Sequence, residues 1–143
     1  MDAGADVEAR NKWGWTPLMF AARNNPNPEM VQALLDAEAD LEARNEYGNT
    51  SLLFAAGNNE NPEVVQALLD AGADVEARNK WGWTPLMYAA GFNENPEMVL
   101  ALLDAGANAT AKNGEGKIAW DLIQDNEALK GSKAYWRLNE LRY

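Results

Sequence analysis

Cysteine and histidine are both absent from the 143 residues. Without cysteine the chain can form neither a disulfide nor a thiolate metal site, and its redox compartment has no marker. Without histidine it lacks the usual proton-transfer group at neutral pH and the commonest metal ligand. No apolar run approaches the roughly 20 residues of a membrane-crossing helix, and no signal-peptide pattern follows Met1. Basic residues are scarce, 12 Lys and Arg against 22 Asp and Glu, for a net charge of −10. A protein that neutralises phosphates should be basic, so nucleic acid and membrane are both poor partners. These absences narrow the chemistry open to the chain, and no cofactor is expected.

What is present is repetition. Asp2, Asp36, Asp70 and Asp104 open four segments 34 residues apart. Residues 2–35, 36–69 and 70–103 align letter by letter, and residues 104–143 begin a fourth copy that then departs. Near-identity at a fixed period means one supersecondary unit stacked several times, each copy burying its apolar face on the next. The expected organisation is a single repeat domain over 1–143, with 104–143 as a divergent cap.

Within one unit the local signals are plain. Thr16-Pro17 predicts a helix start, with Thr accepting an orphan N–H and Pro placed where no donor is missed. Leu18, Ala21 and Ala22 then share a face. Asn27-Pro28-Glu29 starts a second helix, with Met30, Val31, Leu34 and Leu35 as its expected buried stripe. Gly4, Gly72 and Gly106 stand where that helix should end in a left-handed cap. Glu38 takes the place in the second copy, where a side chain costs about 1–2 kcal/mol, so a local adjustment or a softer joint is expected. Asn11-Lys12-Trp13-Gly14 suits a type I turn. Each unit therefore reads as a turn finger followed by two antiparallel helices.

The segments TPLMFAA (Thr16–Ala22) and TPLMYAA (Thr84–Ala90), followed by EMVQALLDAEAD or EVVQALLDAGAD, resemble the ankyrin repeat. The resemblance implies an all-α solenoid of helix-turn-helix units with projecting β-turn fingers, and a non-catalytic, protein-binding role. Two departures stand out. Met19, Leu53 and Met87 replace the family's usual His, so apolar packing should replace its hydrogen bonds. The inter-helix loop is one residue longer than a 33-residue period allows.

The ends differ. Lys117–Gln124 predicts an inner helix with Ile118, Ala119, Leu122 and Ile123 inward, then a linker over 125–131. Ser132 caps a last helix to about Leu141, with Tyr135, Trp136 and Leu138 or Leu141 covering the last full repeat. Residues 1–6 read as the tail of a unit whose helices are missing, so the exposed side of repeat one is a candidate for self-association. Asp2–Met19 and Asp70–Met87 are identical over 18 residues, which fits recent duplication or modular construction. Glu38, Ser51 and Leu53 look natural. The balance favours an engineered, reconstructed or truncated form of a natural array.

The resemblance places a binding face along the finger tips and inner helices. The candidates are Lys12, Trp13, Trp15, Arg23 and Asn24 in repeat one. Repeat two supplies Glu46, Tyr47, Asn49 and Asn58, and repeat three Lys80, Trp81, Trp83 and Phe92. Trp13, Tyr47 and Trp81 are the expected anchors, because a turn tip is hard to bury. Trp15 and Trp83 are expected to pack between fingers, and Phe20, Phe54 and Tyr88 to join the inter-repeat core. Repeat two carries Asp36, Glu38, Asp40, Glu42, Glu46, Glu60 and Glu63 against Arg44 alone, which predicts an acidic concave face and a basic protein or peptide partner. Asp6, Asp40 and Asp74 should bond nearby turn backbone. Periodic carboxylates share one environment, whereas an acid–base pair needs two, so no catalytic site is expected.

Overall fold

The computed structural model describes residues 6–143. The expected Gly4 cap and the reading of residues 1–5 lie outside that span. Eight helices follow in hairpin pairs: α1 (Pro17–Asn24) and α2 (Pro28–Asp36), α3 (Ser51–Asn58) and α4 (Pro62–Asp70), α5 (Pro85–Phe92) and α6 (Pro96–Asp104), α7 (Ala119–Ile123) and α8 (Lys133–Leu141). The described residues contain no strand. Inner helices α1, α3, α5 and α7 stack in one layer and outer helices α2, α4, α6 and α8 in a second.

Local chemistry sets the helix starts. Thr16, Thr50 and Thr84 accept the N–H of Met19, Leu53 and Met87, and Asn27, Asn61 and Asn95 accept that of Glu29, Glu63 and Glu97. Met19 and Met87 do more than pack: each sulfur lies 3.4 Å from its cap threonine's N–H and acts as a weak acceptor. Glu38 sits at φ 67 where Gly72 and Gly106 sit at 99 and 91. The adjustment is confined to φ, which lies nearer the left-handed helical value than in either glycine, while the hydrogen bonds of the turn are kept. Glu38 N–H reaches the Leu35 carbonyl at 2.9 Å and Ala39 N–H reaches Leu34 at 3.0 Å, the same pair of bonds that Gly72 and Ala73 make.

The core runs between the layers through Leu18, Ala22, Val31, Leu52, Ala56, Val65, Leu68, Leu86, Ala90, Val99 and Leu102. Small residues let the inner helices close up; a Cβ on Gly57 would lie 3.3 Å from that of Tyr88. Three positions depart from expectation. Met30 and Phe20 are each 46% exposed, because in repeat one no described residue covers the side that is covered at Val64, Met98 and Phe54 in later copies. Leu35 is only half-buried.

Four side-chain ladders join successive units, one of them Asn61 and Asn95 donating to the carbonyls of Pro26 and Glu60. Asn59 donates to the carbonyls of Ala22 and Asn25, Asn93 to Ala56 and Asn59, and Asn126 to Ala90 and Asn93, all at 2.8–2.9 Å. Glu8, Glu42 and Glu76 accept the N–H of Asp40, Asp74 and Asn108. Arg10, Arg44 and Arg78 each donate to the carbonyls of the following finger's Arg44, Arg78 and Lys112. Asp6, Asp40 and Asp74 bond turn backbone as expected.

The last unit is shorter than predicted. Lys117 belongs to the finger, its N–H bonded to Asn113, and Ile118 caps a five-residue α7. Asn126 and Leu129 are buried within the linker, and Ala134 and Leu138 of α8 close the core. Trp136 does not seal it; the ring is 54% exposed and borders a groove with Leu100.

Candidate binding surface

Each finger is a four-residue turn closed on itself. Gly14 N–H bonds the Asn11 carbonyl at 3.0 Å, and the Asn11 side chain accepts the N–H of Trp13 and Trp15. The same bonds recur around Asn45 and Asn79. Gly14, Gly48 and Gly82 hold φ near 80, 78 and 78, a conformation that a side chain resists. Neighbouring fingers are joined tip to tip: Glu46 N–H to the Trp13 carbonyl, Lys80 to Tyr47 and Gly114 to Trp81. Matching letters are thereby fixed in ranks along one rim.

The first rank is open. Trp13, Tyr47 and Trp81 are 46%, 40% and 49% exposed. Tyr47 and Trp81 stack with ring centroids 5.6 Å apart. The Lys12 ammonium lies 4.5 Å from the Trp13 ring, and that of Lys80 lies 5.4 Å from Tyr47 and 5.3 Å from Trp81, within cation–π range. The Glu46 carboxylate beside the Tyr47 hydroxyl raises that phenol's pKa, since it favours the protonated form.

The second rank is packed, on the inner helices and against clusters that include Ala43 and Ala111 of the following fingers. Trp15 lies 4.8 Å from Phe20 and 4.2 Å from Phe54, bridging α1 and α3. Trp83 lies 4.9 Å from Tyr88 and 5.5 Å from Phe92, both on α5. Asn49, between them, accepts from the Asn79 amide, which also bonds the Tyr88 hydroxyl at 2.6 Å. Burial raises the Tyr88 pKa, and the Asn79 bond pulls it the other way. The equivalent amide nitrogens of Asn45 and Asn113 are buried without a partner, because Trp15 and Phe54, or Trp83 and Leu122, stand where Asn49 and Tyr88 supply acceptors.

The third rank runs along the inner helices. Phe92 is 61% exposed. Arg23 lies 5.9 Å from the Trp15 ring and bonds Asn24, and the Asn58 amide turns back to the Phe54 carbonyl. An open groove of about 320 Å³ separates the first two fingers, lined by Asn11, Trp13, Trp15, Phe20 and Tyr47. A second, of about 620 Å³, lies beside Trp81 and Trp83 and reaches Gly114 and Glu115 of the fourth finger. Phe20 and Glu115 were not among the sequence candidates. Phe20 was assigned to the core by its helical spacing, and the fourth finger carries no aromatic to flag it.

Charge is sorted by position. Arg10, Lys12, Arg44, Arg78, Lys80, Lys112 and Lys117 all lie in fingers. The carboxylates of repeat two are mostly engaged or distant: Asp36 accepts from Gln32, Asp40 from Glu42 N–H and Glu42 from Asp74 N–H, and Glu63 opens α4. Among the described residues the ion pairs are Lys117–Glu115, Lys130–Glu127 and Arg137–Glu140, all in the last unit. No group of three or more metal-binding side chains lies close enough to hold an ion among those residues. No described helix is long and apolar enough to cross a membrane.

A family model described as ankyrin repeats (3 copies) matches residues 1–79 and 59–113. Among curated proteins none matches.

Proposed function

We propose that this chain, which belongs to the ankyrin repeat family, binds a protein or peptide segment along its finger tips and inner-helix face. Ankyrin repeats are generally protein–protein interaction modules and are typically non-catalytic. The observation that carries the proposal is the open first rank. Three large aromatics are held on hydrogen-bonded turns at 40–49% exposure, although the same chain buries Phe54 and half-buries Trp15, Trp83 and Tyr88 a few residues away. Aromatic anchors dominate binding hot spots, and the interlocked fingers present them with little ordering cost. Layers about 8–10 Å apart give a row on the order of 20 Å, enough for roughly six extended residues.

Trp13, Tyr47 and Trp81 are the proposed anchors. Lys12, Glu46 and Lys80 flank them, and Trp15, Asn49 and Trp83 form the floor. Arg23, Asn24, Asn58 and Phe92 form the inner-helix border. A basic partner draws little support, because of repeat two's seven acids only Glu46 and Glu60 border this surface. The triple variant Trp13→Ala, Tyr47→Ala, Trp81→Ala should stay folded by circular dichroism and lose a partner captured by the parent chain. Unchanged capture rejects the anchors.

A second reading is self-association through repeat one. Ala9, Phe20 and Met30 are exposed, whereas their counterparts Ala43, Phe54 and Val64 are buried. Sedimentation over a range of concentrations tests it: a mass that rises with concentration and falls back in Met30→Lys supports pairing, and a constant monomer mass ends it.

A further inference from the structure

The distribution of cations on the rim specifies the partner more narrowly. In a chain of net charge −10, the fingers hold seven of the twelve Lys and Arg, beside carboxylates of their own. Arg10, Arg44 and Arg78 spend their guanidinium groups on backbone carbonyls. Lys12 and Lys80 have no such employment: each is exposed, forms no ion pair with another described residue, and rests over the aromatic faces of the tips. Each thus keeps full capacity for an incoming anion, which it would meet beside an apolar plate. The other carboxylates of the first three fingers, Asp6, Glu8, Asp40, Glu42, Asp74 and Glu76, each accept a backbone N–H.

We propose that the finger row takes an extended acidic protein segment, its carboxylates meeting Lys12 and Lys80 while intervening apolar side chains lie on Trp13, Tyr47 and Trp81. The inference rests on the binding face argued above and adds the sign of the partner's charge. An alternating pattern suits the geometry. Successive side chains of an extended strand point to opposite sides, and one set can follow the rings while the other turns to the ammonium groups. Glu46, at the middle tip, is the one carboxylate among the first three tips. It interrupts the cationic row and directs a carboxylate of the partner to the flanking fingers.

Tryptophan fluorescence of the full chain reads the test directly, with three probes: a hexapeptide alternating Glu and Leu, one alternating Lys and Leu, and single-stranded oligothymidylate. The Glu–Leu peptide should bind about tenfold more tightly than Lys–Leu at low salt, two charge contacts each contributing a few-fold. The preference should shrink as salt rises. The Lys12→Glu, Lys80→Glu double variant should reverse it, while Trp13→Ala with Trp81→Ala should weaken both peptides. Glu46→Gln, which leaves both lysines in place, should sharpen the preference for Glu–Leu. Equal or tighter binding of Lys–Leu, still sensitive to the tryptophan variants, overturns the acidic partner and leaves the binding face standing. Binding of neither peptide overturns both. Tighter binding of oligothymidylate through the same residues overturns the peptide in favour of nucleic acid.

Discussion

Glu38 holds the backbone conformation that Gly72 and Gly106 hold in the next two units, and it keeps both hydrogen bonds of the turn. The chain shifts only in φ, and the residue stays in the left-handed region that a side chain resists. A side chain in the left-handed region costs about 1–2 kcal/mol, and glycine returns about 0.5–1 kcal/mol of that through its freer unfolded state. Glu38→Gly should therefore stabilise the protein by about 0.5–1 kcal/mol, seen as a higher denaturation midpoint at unchanged slope. A lower midpoint would mean that the Glu38 side chain makes a favourable contact. This position was legible from the sequence because glycine at the other two copies names the conformation. Phe20 and Met30 were assigned inward because spacing reports a face without reporting whether a neighbour covers it. The unpartnered amides of Asn45 and Asn113 were not legible either. Asparagine occupies every copy, and its nitrogen finds acceptors only where Asn49 and Tyr88 stand; Trp15 and Phe54, or Trp83 and Leu122, offer none.

At the scale of the element, the inter-helix loop is held by a ladder rather than by its own turn. Asn93 accepts Asn95 N–H within its loop and donates across to the carbonyls of Ala56 and Asn59. Asn25 makes the local bond to Asn27 N–H and no counterpart of the cross-bonds. Replacing either by alanine removes the same local contact, so the difference between them isolates the rung. Leaving two buried carbonyls unpaired costs roughly 1 kcal/mol or more each. Asn93→Ala should thus destabilise by about 2 kcal/mol more than Asn25→Ala in equilibrium denaturation. Equal losses would show that the ladder contributes nothing beyond the turn. The helix starts were readable because Thr-Pro and Asn-Pro act within four residues. The ladder acts over 34 to 37 residues, and its last rung, Asn126, stands 33 from Asn93, out of step with the period that would have revealed it.

The whole molecule is a row in which each unit leans on its neighbours, so the same letter can have two energies. Met30 and Met98 occupy one position of the outer helix in repeats one and three. Met98, on α6, which packs against α4, α5 and α8, is fully buried, whereas Met30 is 46% exposed. Truncating a buried methionine costs about 2–5 kcal/mol through lost burial and the cavity left behind. A side chain that keeps nearly half its surface in water loses much less, about 1 kcal/mol by area. Met98→Ala should therefore lower stability several times more than Met30→Ala. The stacking itself predicts where that stability resides. Nearest-neighbour arrays open from the less supported end, so amides of α1 and α2 should exchange hydrogen faster than those of α3 to α6, and Met98→Ala should erase much of that gradient by loosening the middle. If Met30→Ala proved as costly as Met98→Ala, with uniform protection across the units, repeat one would have to be covered in solution. The self-associated form would then be the species that binds or stacks, and the finger row of each copy would be one segment of a longer rim.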